Sequence, residues 1–109
     1  MRIGGAVTGL ESGKDVPSAA LFGRIAPNPF ETSTHLTYTL PGRGRVRLTV
    51  YNVAGQQVAV LRDSDEYAGP HMVSWDGRSA RGSRLPAGVY FVRLNFRDHK
   101  EARKVVLTR

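Results

Sequence analysis

Beyond residue 25, apolar and polar positions alternate with a period of two. Leu36, Tyr38 and Leu40 are spaced by Thr37 and Thr39, and Pro41-Gly42 stops the run. Val46, Leu48 and Val50 are spaced by Arg45, Arg47 and Thr49, the pattern of an antiparallel strand with one wet face. Asn52 to Gly55 turns the chain, and Gln57 to Leu61 returns. Asp63 to Glu66 reads as a polar loop. Val73 and Trp75 share one face of the next strand, which ends at Asp76-Gly77. Residues 77–88 form a loop rich in Arg, Ser, Gly and Pro. Tyr90, Val92, Leu94 and Phe96 alternate over a long strand; Asp98-His99-Lys100 turns it, and Arg103 to Thr108 closes the chain. No stretch keeps a helical period; residues 59–67 come closest and are too short.

Short strands at this spacing predict an all-β chain of about seven strands, an immunoglobulin-like or fibronectin-III-like antiparallel sandwich. The expected inward residues are Leu36, Tyr38, Leu40, Val46, Leu48, Val50, Val58, Val73, Trp75, Val92, Leu94, Val105 and Leu107, with Trp75 at the core centre. Residues 1–24 lack a sustained period and read as an extended tail or linker before a sandwich over 25–109. Ile3, Val7 and Leu10 have the spacing for one extra short strand. A helix there is disfavoured, because Gly4, Gly5 and Gly9 each cost about 1 kcal/mol against Ala.

The length of 109 residues fits one domain. Cysteine is absent, which removes disulfides, thiolate metal sites and a cysteine nucleophile. No apolar run is long enough for a transmembrane segment. Arg2 is not followed by an apolar stretch of signal-peptide type, so the expectation is a cytoplasmic chain, a mature product or a fragment. The formal charge of +7 raises nucleic acid as a partner. The excess is spread along both halves and is rich in Arg, so a basic surface without a specific nucleic-acid site is preferred.

Catalytic patterns are missing. His35, His71 and His99 are far apart and lack ligand-type neighbours. His71, Ser74 and Asp76 contain triad residue types, but His71 and Ser74 fall on opposite faces of one strand. Gly9 to Asp15 resembles a P-loop only faintly: its glycines are one residue too close, and Asp15 stands where a hydroxyl is needed. Asp63, Asp65 and Glu66 supply hard oxygen ligands for calcium, without the spacing of a calcium loop, so a solvated turn is preferred. Arg43, Arg45 and Arg47 share a strand face suited to an anionic surface glycan or lipid headgroup; charges that protect an edge strand from aggregation give the same pattern. No cofactor is expected.

Four ordered pieces carry a resemblance: Pro27-Asn28-Pro29-Phe30; Val50 to Val58, with Asn52 and Gly55 at its turn; Trp75-Asp76-Gly77-Arg78 leading to Gly82 and Leu85-Pro86-Ala87-Gly88-Val89-Tyr90-Phe91; and Arg103-Lys104-Val105-Val106-Leu107. Over roughly residues 22–109 the chain resembles the C-terminal sorting domain of proteins exported by type IX secretion. It equally resembles the related immunoglobulin-like domain of flagellar hook-capping proteins. After Phe30 it reads Glu31-Thr32-Ser33-Thr34, where the family commonly continues Asn-Pro-Ser-Thr. Each piece also has a structural role. The prolines fix φ, so that Phe30 covers an open end of the sandwich. Asn52 and Gly55 suit a tight turn, and Asp76 bonds backbone N–H groups while Gly77 takes a positive φ.

The resemblance implies a non-enzymatic domain at the cell surface or outside the cell, exported through the periplasm. Secretion machinery would read its last hairpin through Lys104, Val105, Val106, Leu107 and Arg109. A sorting peptidase would cut between about Ser12 and Arg24. A second expectation is a filament subunit that binds copies of itself, with residues 3–10 as a donor strand. A third is the hook-cap domain of a flagellar scaffold.

Overall fold

The computed structural model describes residues 21–109, which form two antiparallel sheets and no helix. The strands are β1 (Leu21–Ala26), β2 (Thr34–Leu40), β3 (Gly44–Tyr51), β4 (Gln57–Glu66), β5 (Gly69–Trp75), β6 (Gly88–Phe96) and β7 (His99–Leu107). One sheet has the order β1-β2-β5, the other β4-β3-β6-β7. This is an immunoglobulin-like sandwich, with the alternating apolar faces of β2, β3 and β6 turned inward.

Leu36, Tyr38, Leu40, Val46, Leu48, Val50, Trp75, Val92, Leu94, Val105 and Leu107 are buried, as their periodicity requires. Val58 and Val73 are only half-buried and pack against the core from the side. The reason at Val58 is a change of register: β3 and β4 are irregular between Leu48 and Thr49 and again between Val50 and Tyr51. These shifts put Ala59 opposite Val50, and Ala59 rather than Val58 takes the inward place. Phe22, Phe30, Tyr90 and Phe96 complete the core. Trp75 lies between two of them, 5.4 Å from the Phe30 ring and 5.5 Å from the Tyr90 ring. Its indole N–H donates to the Arg78 carbonyl at 3.0 Å, and the Tyr90 hydroxyl donates to the Pro86 carbonyl at 2.6 Å, so both polar ends are satisfied.

Three expectations about elements change. Asp63 to Glu66 is not a loop but the end of β4, paired residue by residue with β3: Arg47 with Asp63, Arg45 with Asp65. Opposite charges directly across the ladder make this polar run a stable strand. β3 is not an edge strand, since β4 and β6 flank it. The first sheet opens at Leu21, inside the stretch read as a tail, and Phe22 is buried there.

The two open sides of the sandwich are closed by charged groups on inward-facing positions. Between β4 and β5, Glu66 accepts hydrogen bonds from the Tyr38 hydroxyl and, at 3.0 Å, from Ser64 Oγ. Arg62 Nε lies 3.2 Å from Glu66 Oε2 without a hydrogen-bonded acceptor among the described residues, so that contact is electrostatic, while Arg62 Nη2 donates to the Met72 carbonyl at 3.3 Å. His71 Nδ1 lies 3.4 Å from Glu66 Oε1, and its ring stacks on Tyr38. Burial pushes the Tyr38 hydroxyl pKa up, and the Glu66 carboxylate raises it further against the opposing pull of Arg62. Between β7 and β1, Glu101 and Arg103 do the corresponding work.

Candidate functional site

The sequence points to the last strand. β7 is the edge of its sheet, and its outer edge is bound by the segment that leads into the fold. Asn28 bridges it like a short piece of strand: its Nδ2 donates to the Lys104 carbonyl at 3.1 Å, and its Oδ1 accepts from the Val106 N–H at 3.0 Å. Two residues on, Phe30 forms a parallel bridge with Leu107. The Phe30 N–H donates to the Val106 carbonyl at 2.9 Å, and the Phe30 carbonyl accepts from the Thr108 N–H at 2.8 Å. Pro27 and Pro29 have no N–H to compete for these bonds. The Pro27 carbonyl accepts from the buried Thr34 hydroxyl at 2.7 Å, which ties the segment to β2.

Further along, Arg103 donates to the Phe22 and Gly23 carbonyls at 2.7 and 2.9 Å. Glu101 holds that guanidinium at 2.7 Å and accepts from the Phe22 N–H at 3.4 Å. His99 Nε2 lies 3.2 Å from Glu101. Burial pushes the Glu101 pKa up, yet the hydrogen bonds from Arg103 and His99, with the Arg103 charge, hold the carboxyl below the ordinary range. Sequence reading passed over Glu101 and Phe22, and took Arg103 only as the start of the closing motif. The available signal was two charged residues at inward positions of an alternating strand, which marks an open side of a sandwich.

Of the five residues expected to carry sorting, Val105 and Leu107 are buried in the core, Lys104 and Arg109 are exposed, and Val106 is half-buried. Arg109 reaches back to donate to the Gly77 carbonyl at 3.0 Å. Gly77 has φ +74°, and a Cβ there would stand 3.2 Å from Leu107. Asp76 accepts from the Arg78 N–H at 3.1 Å, and Asn52 Oδ1 accepts from the Ala54 and Gln56 N–H groups at 3.0 Å. Gly55, at φ +84°, closes the Asn52 turn, and Gly88 opens β6. Phe30, Trp75 and Tyr90 thus meet at one end of the sandwich, beside the turn of Asp76 and Gly77.

The other candidates separate. Asp63 and Asp65 lie on the outer face, 2.9 Å from Arg45 and 2.7 Å from Arg43, while Glu66 faces the opposite way toward Tyr38. Among the described residues no group of three or more His, Asp or Glu is arranged to hold a metal ion. The row of Arg43, Arg45 and Arg47 is thereby matched to two carboxylates. Ser74 Oγ lies 3.0 Å from His35, whereas His71 Nε2 is 2.7 Å from the Tyr67 carbonyl, so no relay forms with Asp76. A cleft of about 480 Å³ is lined by Glu31, Thr32, Asp76, Arg78, Arg84 and Arg109, with Arg78 and Asp76 3.7 Å apart. Ile3, Val7 and Leu10, and most of the expected cleavage stretch, lie outside the described residues.

The family description of the FlgD Ig-like domain matches residues 30–99. The chain belongs to the FlgD immunoglobulin-like domain family. No curated protein sequence matches it. Among solved structures, this FlgD-type domain is similar to part of the dimeric latent PorU of Porphyromonas gingivalis: TM-score 0.67, 21% identity, 82% of this chain and 9% of that one. It is also similar to part of PorZ from the same organism, described as an essential bacterial surface component of the type IX secretion system: TM-score 0.53, 16% identity, 79% of this chain and 11% of that one. FlgD from P. aeruginosa gives TM-score 0.54 at 16% identity, with 85% of this chain and 74% of that one covered. The FlgD-type domain therefore spans about a tenth of the length of PorU or PorZ. At these identities the likeness is one of fold. No helix among the described residues is long and apolar enough to cross a membrane.

Proposed function

We propose that this domain is a non-enzymatic, extracytoplasmic sorting and surface-attachment domain of the type IX secretion kind. The observation that carries the reading is the seam between residues 22–30 and β7. The outer edge of the last strand is occupied by Asn28 and Phe30, so a receptor cannot read it by adding a strand to that stretch. Recognition then falls on side chains of the folded sandwich, with Lys104 and Arg109 exposed and Val105 and Leu107 setting their register. The likeness to a domain of PorZ, a surface component of type IX secretion, supports this choice. The test is to fuse the chain behind a periplasmic carrier in a bacterium with that system and to count carrier at the surface. Surface carrier that falls at least tenfold with Lys104→Glu plus Arg109→Glu, in a protein that still folds, is the expected result. Equal display with and without the domain overturns the reading.

The match over residues 30–99 favours a second reading, a scaffold domain of a flagellar hook cap. Restoration of hook assembly, when this domain replaces its counterpart in a hook-capping protein, selects that alternative.

A further inference from the structure

We propose that the outer face of the four-stranded sheet holds a binding site for a uronate-bearing oligosaccharide, on the half formed by β3, β6 and β7. The site shares Lys104 with the sorting reading but does not depend on it, since it is read by ligand binding to the full chain and not by surface display.

Cross-strand register sets the site. Tyr51, Phe91 and Lys104 stand side by side on β3, β6 and β7, and the next row is Thr49, Arg93 and Ala102. The third row is Arg47, Asn95 and Lys100. Tyr51, Val53, Phe91, Arg93 and Ala102 line a depression of about 290 Å³. Val53 is 74% exposed and Phe91 37%, so the depression offers apolar surface to solvent. Arg93 lies over the Tyr51 ring at 5.1 Å. Aromatic faces beside a small residue such as Ala102 accept the flat C–H face of a pyranose.

The charges divide the face unequally. Toward β4, Arg45 and Arg47 are matched by Asp63. Toward β7, Arg93, Lys100 and Lys104 form no ion pair among the described residues. An acidic ligand is thus drawn to the β6–β7 half more strongly than to the charge-matched side toward β4.

The shape of the cation and of the floor indicates which acid. A uronate brings a flat C–H ring face and a planar carboxylate together, to match the aromatic floor and the guanidinium of Arg93. The planar carboxylate of a uronate fits the fork of Arg93 once that side chain leaves Tyr51.

The test titrates the full chain with hexagalacturonate and follows amide shifts by NMR. Neutral maltohexaose, hexaglutamate and oligothymidylate serve as comparisons. The expected result is saturable binding of hexagalacturonate, with shifts centred on Tyr51, Phe91 and Arg93. Affinity should fall at least tenfold in Phe91→Ala and in Lys104→Gln, the latter an exposed substitution that leaves the core untouched. Equal or tighter binding of maltohexaose, hexaglutamate or oligothymidylate overturns the proposal. So do shifts centred on Arg43 and Arg45, unchanged affinity in both variants, or no binding at all.

Discussion

Asn28 gives the sharpest test of the seam. It makes two hydrogen bonds to the backbone of β7, donating at 3.1 Å and accepting at 3.0 Å. A net hydrogen bond contributes about 0.5–1.5 kcal/mol, and these lie near solvent, so losing both in Asn28→Ala should cost about 1–2 kcal/mol. At a urea dependence of about 1–3 kcal/mol per molar, the unfolding midpoint moves down by roughly 0.3–2 M. Asn28→Asp separates the two bonds. It keeps the acceptor for Val106 but sets a carboxylate oxygen against the Lys104 carbonyl in place of an N–H. At neutral pH it should be at least as damaging as Ala. When the new carboxyl is protonated it regains a donor, so the gap to wild type at the same pH should narrow as pH falls through about 4. Urea melts of the three proteins across pH measure this. A loss below about 0.3 kcal/mol in Asn28→Ala, or an Asp variant whose gap ignores pH, would refute the claim that Asn28 stitches the two segments.

Three further outcomes are expected. Gly77→Ala should cost about 1–3 kcal/mol, because the residue adopts a positive φ and its new methyl meets Leu107 and Arg109; thermal melting measures it. Tyr38→Phe removes a donor from the largely buried Glu66 and should cost about 1–2 kcal/mol. In the wild type the raised Tyr38 pKa means its contribution is complete below about pH 10 and is lost above it, so phenolate absorbance from Tyr38 should appear only with unfolding. Glu101 has a lowered pKa, so its contribution is present above the ordinary carboxylate value of about 4.3 and is lost as pH falls below that. Glu101→Gln should be less stable at neutral pH, with a flatter acid limb in chemical denaturation.

The strands that carry the core were legible because each declares itself locally. Leu36 to Leu40, Val46 to Val50 and Tyr90 to Phe96 alternate whatever they pair with. Features that depend on pairing were hidden. Asp63 and Asp65 look like loop residues until Arg47 and Arg45 stand opposite. Val58 and Ala59 exchange places because of register shifts that no local pattern encodes. The seam joins positions nearly eighty apart, such as Phe22 with Arg103 and Asn28 with Val106. Sequence could give Asn28 and Phe30 as a motif but not their partners. The arginine row was recognised as a charged face, yet its pairing with β4 was invisible, and Arg93, Lys100 and Lys104, which form no ion pair among the described residues, are scattered along the chain.

The parallel bridge between Phe30 and Leu107 has a mechanical meaning. Segments that run the same way and are pulled from opposite ends slide past each other rather than peel apart. Tension applied upstream of Leu21 and beyond Thr108 would load the bonds of Asn28, Phe30 and Thr108 together instead of one at a time. The domain would therefore resist being drawn out lengthwise far better than its modest hydrogen-bond count suggests, a property suited to anything that must hold a tethered load.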